Sequence, residues 1–285
     1  MEARFNSGNV TIEWDQVEVE GPDVEDRHTL QQLAMMSGNA YALPGQKNWY
    51  DLDEAWNTSL PFGWEDTADG FRGHVFVSED NSTVILSIKG TTLPLQGPTS
   101  KKDKFNDNLL FSCCCARVDI TWIFATALVE ESLFYSVGVN LYSNLTSLYP
   151  SANIWLTGHS LGGALAALLG TTFGVPAVSF ESPGERLAAS RLHLPMPPKT
   201  PITHVYHNAD PIPQGACTGI GSPQYGWRAD VFKHTIKEVI STVLADEREW
   251  EPGRQVPLAR DEDEDCIDCY KWEFGDLQTK QEFVS

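Results

Sequence analysis

The feature of this sequence that most restricts its fold is a serine held between two glycines, at the boundary of two apolar segments. The pattern is Gly-x-Ser-x-Gly over residues 158–162, and the serine is Ser160. Apolar residues 154–156 precede it, and the small or aliphatic residues 164–170 follow it. This change of pattern predicts a strand, a sharp turn and a helix, with the serine at the turn. Glycine on both sides lets backbone segments approach more closely than a Cβ would permit.

A serine on such a turn sits on strained backbone above the edge of a sheet, and its hydroxyl faces a cleft. Elsewhere the sequence alternates between helical and strand-like segments. Residues 118–149 form a long helical pattern, and residues 175–180 and 202–207 are predicted strands. Alternation of this kind predicts a mostly parallel sheet with ligands at the carboxyl ends of its strands. We therefore predict the α/β-hydrolase fold in a single domain over residues 1–285.

An acid and a base follow the serine in the order that this fold requires, which is serine, acid, histidine. Asp210 lies just beyond the predicted strand 202–207, where the acid is expected. His234 is the only histidine after Asp210, and it precedes an apolar helical run. Asp230 is a rival acid, but it is only four residues from His234 and is interpreted as a surface or capping residue. The predicted catalytic residues are Ser160, Asp210 and His234.

A hydrolase of this kind also needs hydrogen-bond donors for the negatively charged oxygen of its intermediate. One donor is the amide of the residue after the serine, which is Leu161 here. The other comes from the loop that follows an early strand. Residues 83–88 read as that strand, and Gly90 and Thr91 follow it. Thr91 offers both an amide and a hydroxyl, so Thr91 and Leu161 are the predicted oxyanion hole.

Residues 93–107 are polar and turn-rich and follow the oxyanion strand directly. They contain a cationic cluster of Lys101, Lys102 and Lys104 with apolar residues nearby. Lysines beside apolar residues suit an anionic lipid surface, so a mobile flap over the site is one interpretation. A solvated loop is the other.

Residues 48–73 are rich in tryptophan, glycine and aspartate and predict a structured surface loop. Two roles are open for its tryptophans, which are Trp49, Trp56 and Trp64. They could line a lipid-facing rim, or they could pack the loop against the body of the protein.

The net charge of −19 argues against nucleic acid as a partner, because phosphates require a basic surface. No cofactor-binding motif is present, and we predict none. Cys266 and Cys269 form a Cys-x-x-Cys pair, but no second pair stands at a matching spacing. We therefore predict no metal site.

The six cysteines and four glycosylation sequons favour a secretory or lumenal protein. Six cysteines permit three disulfides in fifteen pairings, among which the sequence does not choose. The sequence shows neither a secretory leader nor a transmembrane run, so either a targeting segment has been removed or the secretory assignment is wrong. The glycosylation candidates are Asn9, Asn57, Asn81 and Asn144.

Together these motifs resemble the class 3 (fungal) lipase family. The likeness covers nearly the whole chain, and its cysteine-rich and carboxy-terminal motifs are more specific than the serine turn. The segments shared with that family are residues 88–91, 158–163, 208–213 and His234. Three further segments resemble a narrower branch, the fungal autophagy-related vacuolar phospholipases: residues 62–66, 107–119 and 266–274. This resemblance implies a lumenal glycoprotein of the vacuole that hydrolyses membrane phospholipids of autophagic bodies at a phospholipid membrane surface, with neutral lipids such as triacylglycerol as a second substrate class.

The chain departs from that branch in three places. The branch begins with a membrane-anchoring helix, and it has a longer cysteine-rich insertion near residues 122–126. It also has a longer segment between Cys217 and Gly226 than residues 218–225 provide. These differences predict a soluble form, engineered or naturally processed, and they leave its disulfide pairing open.

The sequence therefore predicts a serine lipase or phospholipase, with three alternatives. The first is an esterase for soluble esters such as feruloyl esters. The second is a non-catalytic lipase-like module that binds lipid. The third is a redox or zinc protein built on the cysteines. The sequence makes no prediction of the oligomeric state.

Overall fold

The protein is described by a computed structural model that covers residues 14–56, 58–65, 70–92, 99–111, 134–207, 209–210, 212–213, 224–225 and 233–259. The strands are β1 Thr58–Phe62, β2 Gly73–Val77, β3 Thr83–Ile88, β4 Asn153–His159, β5 Ala177–Phe180, β6 Ile202–His207 and β7 Gln224–Tyr225. The helices are α1 Arg27–Asn39, α2 Ser100–Leu110, α3 Phe134–Leu148, α4 Leu161–Phe173, α5 Arg186–Arg191 and α6 Ile236–Glu238. A short 3₁₀ helix spans Glu54–Trp56, and α6 continues as a π-helical turn, Val239–Val243.

The seven strands form one sheet in the order of the sequence, β1 to β7. The first three are antiparallel, and each pair from β3 to β7 is parallel. In the register, Gly158 at the end of β4 lies opposite Ile88 of β3 and Ser179 of β5. The carboxyl ends of these strands therefore meet at one edge of the sheet. The predicted mostly parallel α/β architecture is confirmed.

Apolar side chains alternate along the strands and build a core on each face of the sheet. On β3, Val84, Leu86 and Ile88 face the core that includes α3 and α4. Ile85 faces the opposite core, which includes α1 and the π-helical turn. Helices thus cover both faces, as a parallel sheet requires.

Several element boundaries differ from the sequence prediction. The strand predicted over residues 175–180 begins at Ala177, because Val175 instead donates its amide to Gly170 at the end of α4. Of the long helix predicted over residues 118–149, the described part is α3, and residues 118–133 lie outside the described residues.

The prediction of a flap or solvated loop over residues 93–107 is wrong for the second half of that segment. Residues 100–107 belong to α2, and residues 93–98 lie outside the described residues. The helix forms because Thr99 accepts the amide of Asp103, and because Asn106 accepts the amide of Phe134. Leu110, buried at its end, anchors it to the core.

The tryptophans of the surface loop pack inward. Trp49 meets the ring of His74 edge-on at 5.0 Å, and both Trp49 and Trp56 pack against the core beneath α1. Trp64 donates its indole N–H to the carbonyl of Gly73 at 3.1 Å. Packing, rather than a lipid-facing rim, is therefore the interpretation that the structure supports.

Candidate active site

The predicted serine turn lies between β4 and α4. Ser160 has a positive φ of 58°, which is strained for a residue with a side chain. Its amide donates to the carbonyl of Phe180 at 3.0 Å, which fixes the turn to the end of β5. A Cβ placed on Gly162 would lie 2.1 Å from the carbonyl oxygen of Ile88, and one on Gly158 would lie 2.4 Å from the carbonyl carbon of Gly162. Both glycines are therefore required by close backbone contact, as predicted.

We expect Gly162→Ala to lower the free energy of unfolding by roughly 3 kcal/mol or more, the upper end of the range for overpacking. The backbone of Gly162 has an ordinary helical conformation, so the loss of stability would come from the clash of the new Cβ with the Ile88 carbonyl. Chemical denaturation measures this difference. Gly174→Ala is the matched control, because Gly174 has a φ of +67° but open space around it. It should lose only about 1 kcal/mol, and equal losses in the two variants would contradict the close contact.

The structure brings the three predicted catalytic residues together from three loops. His234 Nε2 lies 2.8 Å from Ser160 Oγ, and His234 Nδ1 is hydrogen-bonded to Asp210 Oδ2. The side chain of Asp210 is completely buried, and its Oδ1 accepts the amide of Ile212 at 2.9 Å. This arrangement fixes the orientation of the imidazole ring. The rival acid Asp230 lies outside the described residues.

His159, the residue directly before Ser160, packs against the predicted base. Its ring centroid is 5.0 Å from that of His234, and its Nδ1 lies 3.0 Å from the hydroxyl of Tyr41. Burial, and to a smaller extent the neighbouring His234, hold the pKa of His159 well below its usual value. His159 is therefore neutral and forms part of the wall that positions His234.

The predicted oxyanion loop lies directly against the serine turn. A Cβ on Gly90 would lie 2.3 Å from the carbonyl oxygen of His159 and 3.2 Å from Ser160 Cβ. Thr91 Oγ1 is buried and has no hydrogen-bond partner among the described residues. Leu161, the second predicted donor, is the first residue of α4. The positions of both residues agree with the prediction, and their roles stay predictions.

A buried ion pair joins this loop to α2. Lys89 Nζ donates to Asp103 Oδ2 at 2.8 Å and to the carbonyl of Gly90 at 2.7 Å. The same Oδ2 accepts the amide of Thr92 at 3.1 Å. Burial lowers the pKa of Lys89, and the charge of Asp103 offsets part of this effect. The conformation of the oxyanion loop is thus coupled to the position of α2.

A second serine–histidine–carboxylate group occurs in the interior. His204 Nδ1 lies 2.8 Å from Ser179 Oγ, and His204 Nε2 lies 2.8 Å from Glu185 Oε2. All three side chains are buried, so no ester has access to this serine. It therefore stabilises the contact of α5 with the sheet and is not a candidate for catalysis.

Other predicted features are only partly within the described residues. Asn81 and Asn144 are exposed, whereas Asn9, Asn57 and all six cysteines lie outside the described residues. Within the described ranges, no group of His, Cys, Asp or Glu side chains could hold a metal ion. In the same part of the chain, no helix has the length and apolar character needed to cross a bilayer.

Comparison with known proteins identifies the class of this one. The sequence profile of the family described as Lipase (class 3) matches residues 85–218. The chain belongs to the class 3 lipase family and has its α/β-hydrolase fold, which confirms the fold class and the resemblance seen in the sequence. Membership supports its assignment as an ester hydrolase of the lipase class.

Among individual relatives, the putative lipase ATG15 of Cryptococcus neoformans is 45% identical over 94% of this chain and 71% of its own length. The putative lipase ATG15 of Saccharomyces cerevisiae is 42% identical over 92% of this chain and 59% of its own length. The Cryptococcus alignment extends over 370 residues, more than the 285 of this chain, so that relative contains residues without a counterpart here.

The solved structures that match this chain are more distant in sequence than these relatives. The Lip2 lipase of Yarrowia lipolytica is 18% identical with a TM-score of 0.43, over 74% of this chain and 83% of its own. The mono- and diacylglycerol lipase of Aspergillus oryzae is 19% identical with a TM-score of 0.43, over 85% of this chain and 87% of its own.

Proposed function

We propose that this protein is a serine lipase that hydrolyses fatty-acyl ester bonds of membrane phospholipids, with Ser160, His234 and Asp210 as its catalytic triad. The observation that carries the proposal is the continuous hydrogen-bonded chain from Ser160 Oγ through His234 to Asp210. Its order along the sequence and its geometry are those of an activated nucleophile with an oriented base.

The reaction proceeds by two acyl transfers. His234 Nε2 accepts the proton of the Ser160 hydroxyl as Oγ attacks the ester carbonyl. Asp210 orients the ring and stabilises its cation. The protonated His234 then donates its proton to the leaving alcohol, which leaves an acyl group on Ser160. A water molecule, deprotonated by His234, attacks this acyl group and releases the fatty acid.

Thr91 and the amide of Leu161 stabilise the negatively charged oxygen of each tetrahedral intermediate. By comparison with other oxyanion holes, each donor contributes about 3 kcal/mol to the transition state. Thr91 Oγ1 supports this role, because it is buried, has no hydrogen-bond partner among the described residues and is therefore available to an incoming oxygen.

A lipid surface as partner is supported by exposed apolar groups on two elements linked to the site. Phe105 of α2 is 40% exposed, and Ile212, whose amide binds Asp210, is 38% exposed. The proposed location is the vacuole lumen and the proposed membrane source is autophagic bodies; the name of the relatives, putative lipase ATG15, is consistent with this proposal. An acidic lumen would also reduce the repulsion between an anionic membrane and a chain of net charge −19.

Hydrolysis of a liposome panel tests the substrate class. The panel contains phosphatidylserine, phosphatidylethanolamine, phosphatidylcholine and triacylglycerol, with a soluble short-chain ester and a feruloyl ester as comparisons. We expect the rate to increase sharply when the lipid aggregates and Ser160→Ala to be inactive on every substrate. Hydrolysis of the soluble esters alone would favour an esterase, and binding of liposomes without any hydrolysis would favour a non-catalytic module.

A further inference from the structure

A second buried carboxyl group lies against the triad and has no part in the mechanism above. Glu181 follows β5 directly, has a φ of 47° and is 1% exposed. The His207 backbone joins it to Asp210, which is itself fully buried: the His207 amide donates to Glu181 Oε1 at 3.1 Å, and the His207 carbonyl accepts the amide of Asp210 at 3.1 Å. The two carboxyl groups therefore interact with each other. Two neighbouring carboxylates in a buried site are not both ionised, because like charges repel and water is excluded. One of the two therefore holds a proton.

The hydrogen bonds around the pair indicate which group is protonated. Both oxygens of Asp210 already meet donors, one from the Ile212 amide and one from His234. Glu181 Oε1 accepts the amide of His207 at 3.1 Å. Glu181 Oε2 is buried and meets no donor among the described residues. Hydrogen-bond donors thus stabilise Asp210 as an anion, whereas Glu181 Oε2 has no such donor among the described residues and has the environment of a protonated oxygen.

We propose that Glu181 is a positioning residue that, as a neutral acid, donates a hydrogen bond through Oε2 to Asp210 and so sets the pH at which His234 becomes protonated. The inference rests on the proposed function, because it takes Asp210 and His234 as the acid and base. An added donor disperses the negative charge of Asp210, so Asp210 stabilises the His234 cation less strongly. His234 then remains a neutral base in more acidic solution.

The other titratable groups around the pair agree with this assignment. Burial lowers the pKa of His207, whose ring lies 3.5 Å from Glu181 Oε1, and this favours the neutral form of His207. His159 is neutral against the far side of His234. Lys233 and Glu238 form an ion pair with each other. Burial, together with Asp210, raises the pKa of Glu181 well above its usual 4.5.

The rate of fluorophosphonate labelling as a function of pH tests the proposal, because this reagent reacts with a serine activated by a neutral histidine. The variants are Glu181→Gln, whose amide can still donate to Asp210, and Glu181→Met, which has similar length and no donor. We expect the labelling rate of wild type and of Glu181→Gln to fall on the acid side with the same midpoint pH. In Glu181→Met the midpoint should shift upward by about one pH unit, the effect of one hydrogen bond to a charged group.

Two results would overturn the inference: a Glu181→Met midpoint equal to that of wild type, or a Glu181→Gln midpoint clearly below it. The second result would mean that wild-type Glu181 is ionised. Failure of the proposed function would give a different result from failure of this inference, since labelling would then be absent or unaffected by Ser160→Ala.

Thermal unfolding provides a readout that needs neither activity nor the Met variant. Folded protein retains a proton on Glu181 that the unfolded chain releases above about pH 4.5, so Glu181 makes wild type less stable as pH rises. Glu181→Gln carries no such proton. Its Tm should match that of wild type near pH 4.5 and exceed it by a few degrees at neutral pH. A Tm difference between the two proteins that does not vary with pH would contradict the assignment of a proton to Glu181.

Discussion

Replacing Ser160 with alanine is expected to lower kcat for ester hydrolysis on the order of 10⁶-fold, the loss seen when the nucleophile of a triad is removed. The reason is that the hydroxyl bonded to His234 Nε2 is the attacking group. Steady-state hydrolysis of a chromogenic ester at neutral pH measures the effect. The fold should be unaffected, since the strained backbone of the turn is held by the Ser160 amide and the neighbouring glycines.

Ser179→Ala is the matched control, because Ser179 also lies within hydrogen-bonding distance of a histidine but is buried. Its kcat should stay within a few-fold of wild type. If Ser179→Ala abolished hydrolysis and Ser160→Ala did not, the assignment of the nucleophile would be wrong.

Replacing Asp210 with asparagine is expected to lower kcat about 10⁴-fold, as for other triads in which the acid becomes an amide. The side chain keeps its shape, but its amide group can donate to His234 Nδ1. The ring then carries its proton on Nε2 and is unable to accept the proton of Ser160. The rate of ester hydrolysis measures the loss, and the Tm should show that the variant remains folded.

Asp53→Asn is the control for this variant. Asp53 Oδ2 also contacts a histidine, His28, at 2.6 Å, but both side chains are exposed. Both residues are also distant from the triad in the sequence. It should leave kcat unchanged. An Asp210→Asn variant with nearly full activity would show that another carboxylate orients His234.

Much of the site was predictable from the sequence, because its residues occur in a local context. Ser160 lies in a pentapeptide whose glycines are required by backbone contacts, and Asp210 follows the predicted strand 202–207. His234 was selected by the order of residues along the chain. These signals need no knowledge of which segments meet in space.

Glu181 and His159 were not predicted as neighbours of the triad, because their roles depend on contacts between separate strands. Glu181 looks like any polar residue after a strand until β5 and β6 bring it to Asp210. The only local signal is a charged residue directly after the buried run 177–180. His159 was identified as part of the turn, but its contact with His234 arises from a segment 75 residues away.

The helix α2 was missed for a related reason. Its sequence is polar and has no clear apolar periodicity, so residues 93–107 were interpreted as a loop. The buried Lys89–Asp103 pair and the bond from Asn106 to the Phe134 amide fix the helix instead. These are tertiary contacts with distant residues, which override weak local propensity.

The most direct test of the proposed mechanism is to locate the serine that a fluorophosphonate modifies. Intact protein is labelled at neutral pH, digested, and analysed by mass spectrometry, while ester hydrolysis is followed in parallel. The proposed mechanism predicts one adduct, on Ser160, with loss of hydrolysis in proportion to labelling and a labelling rate that falls as acid protonates His234. An adduct on another serine, hydrolysis that continues with Ser160 fully modified, or a labelling rate unchanged down to pH 3 would contradict it.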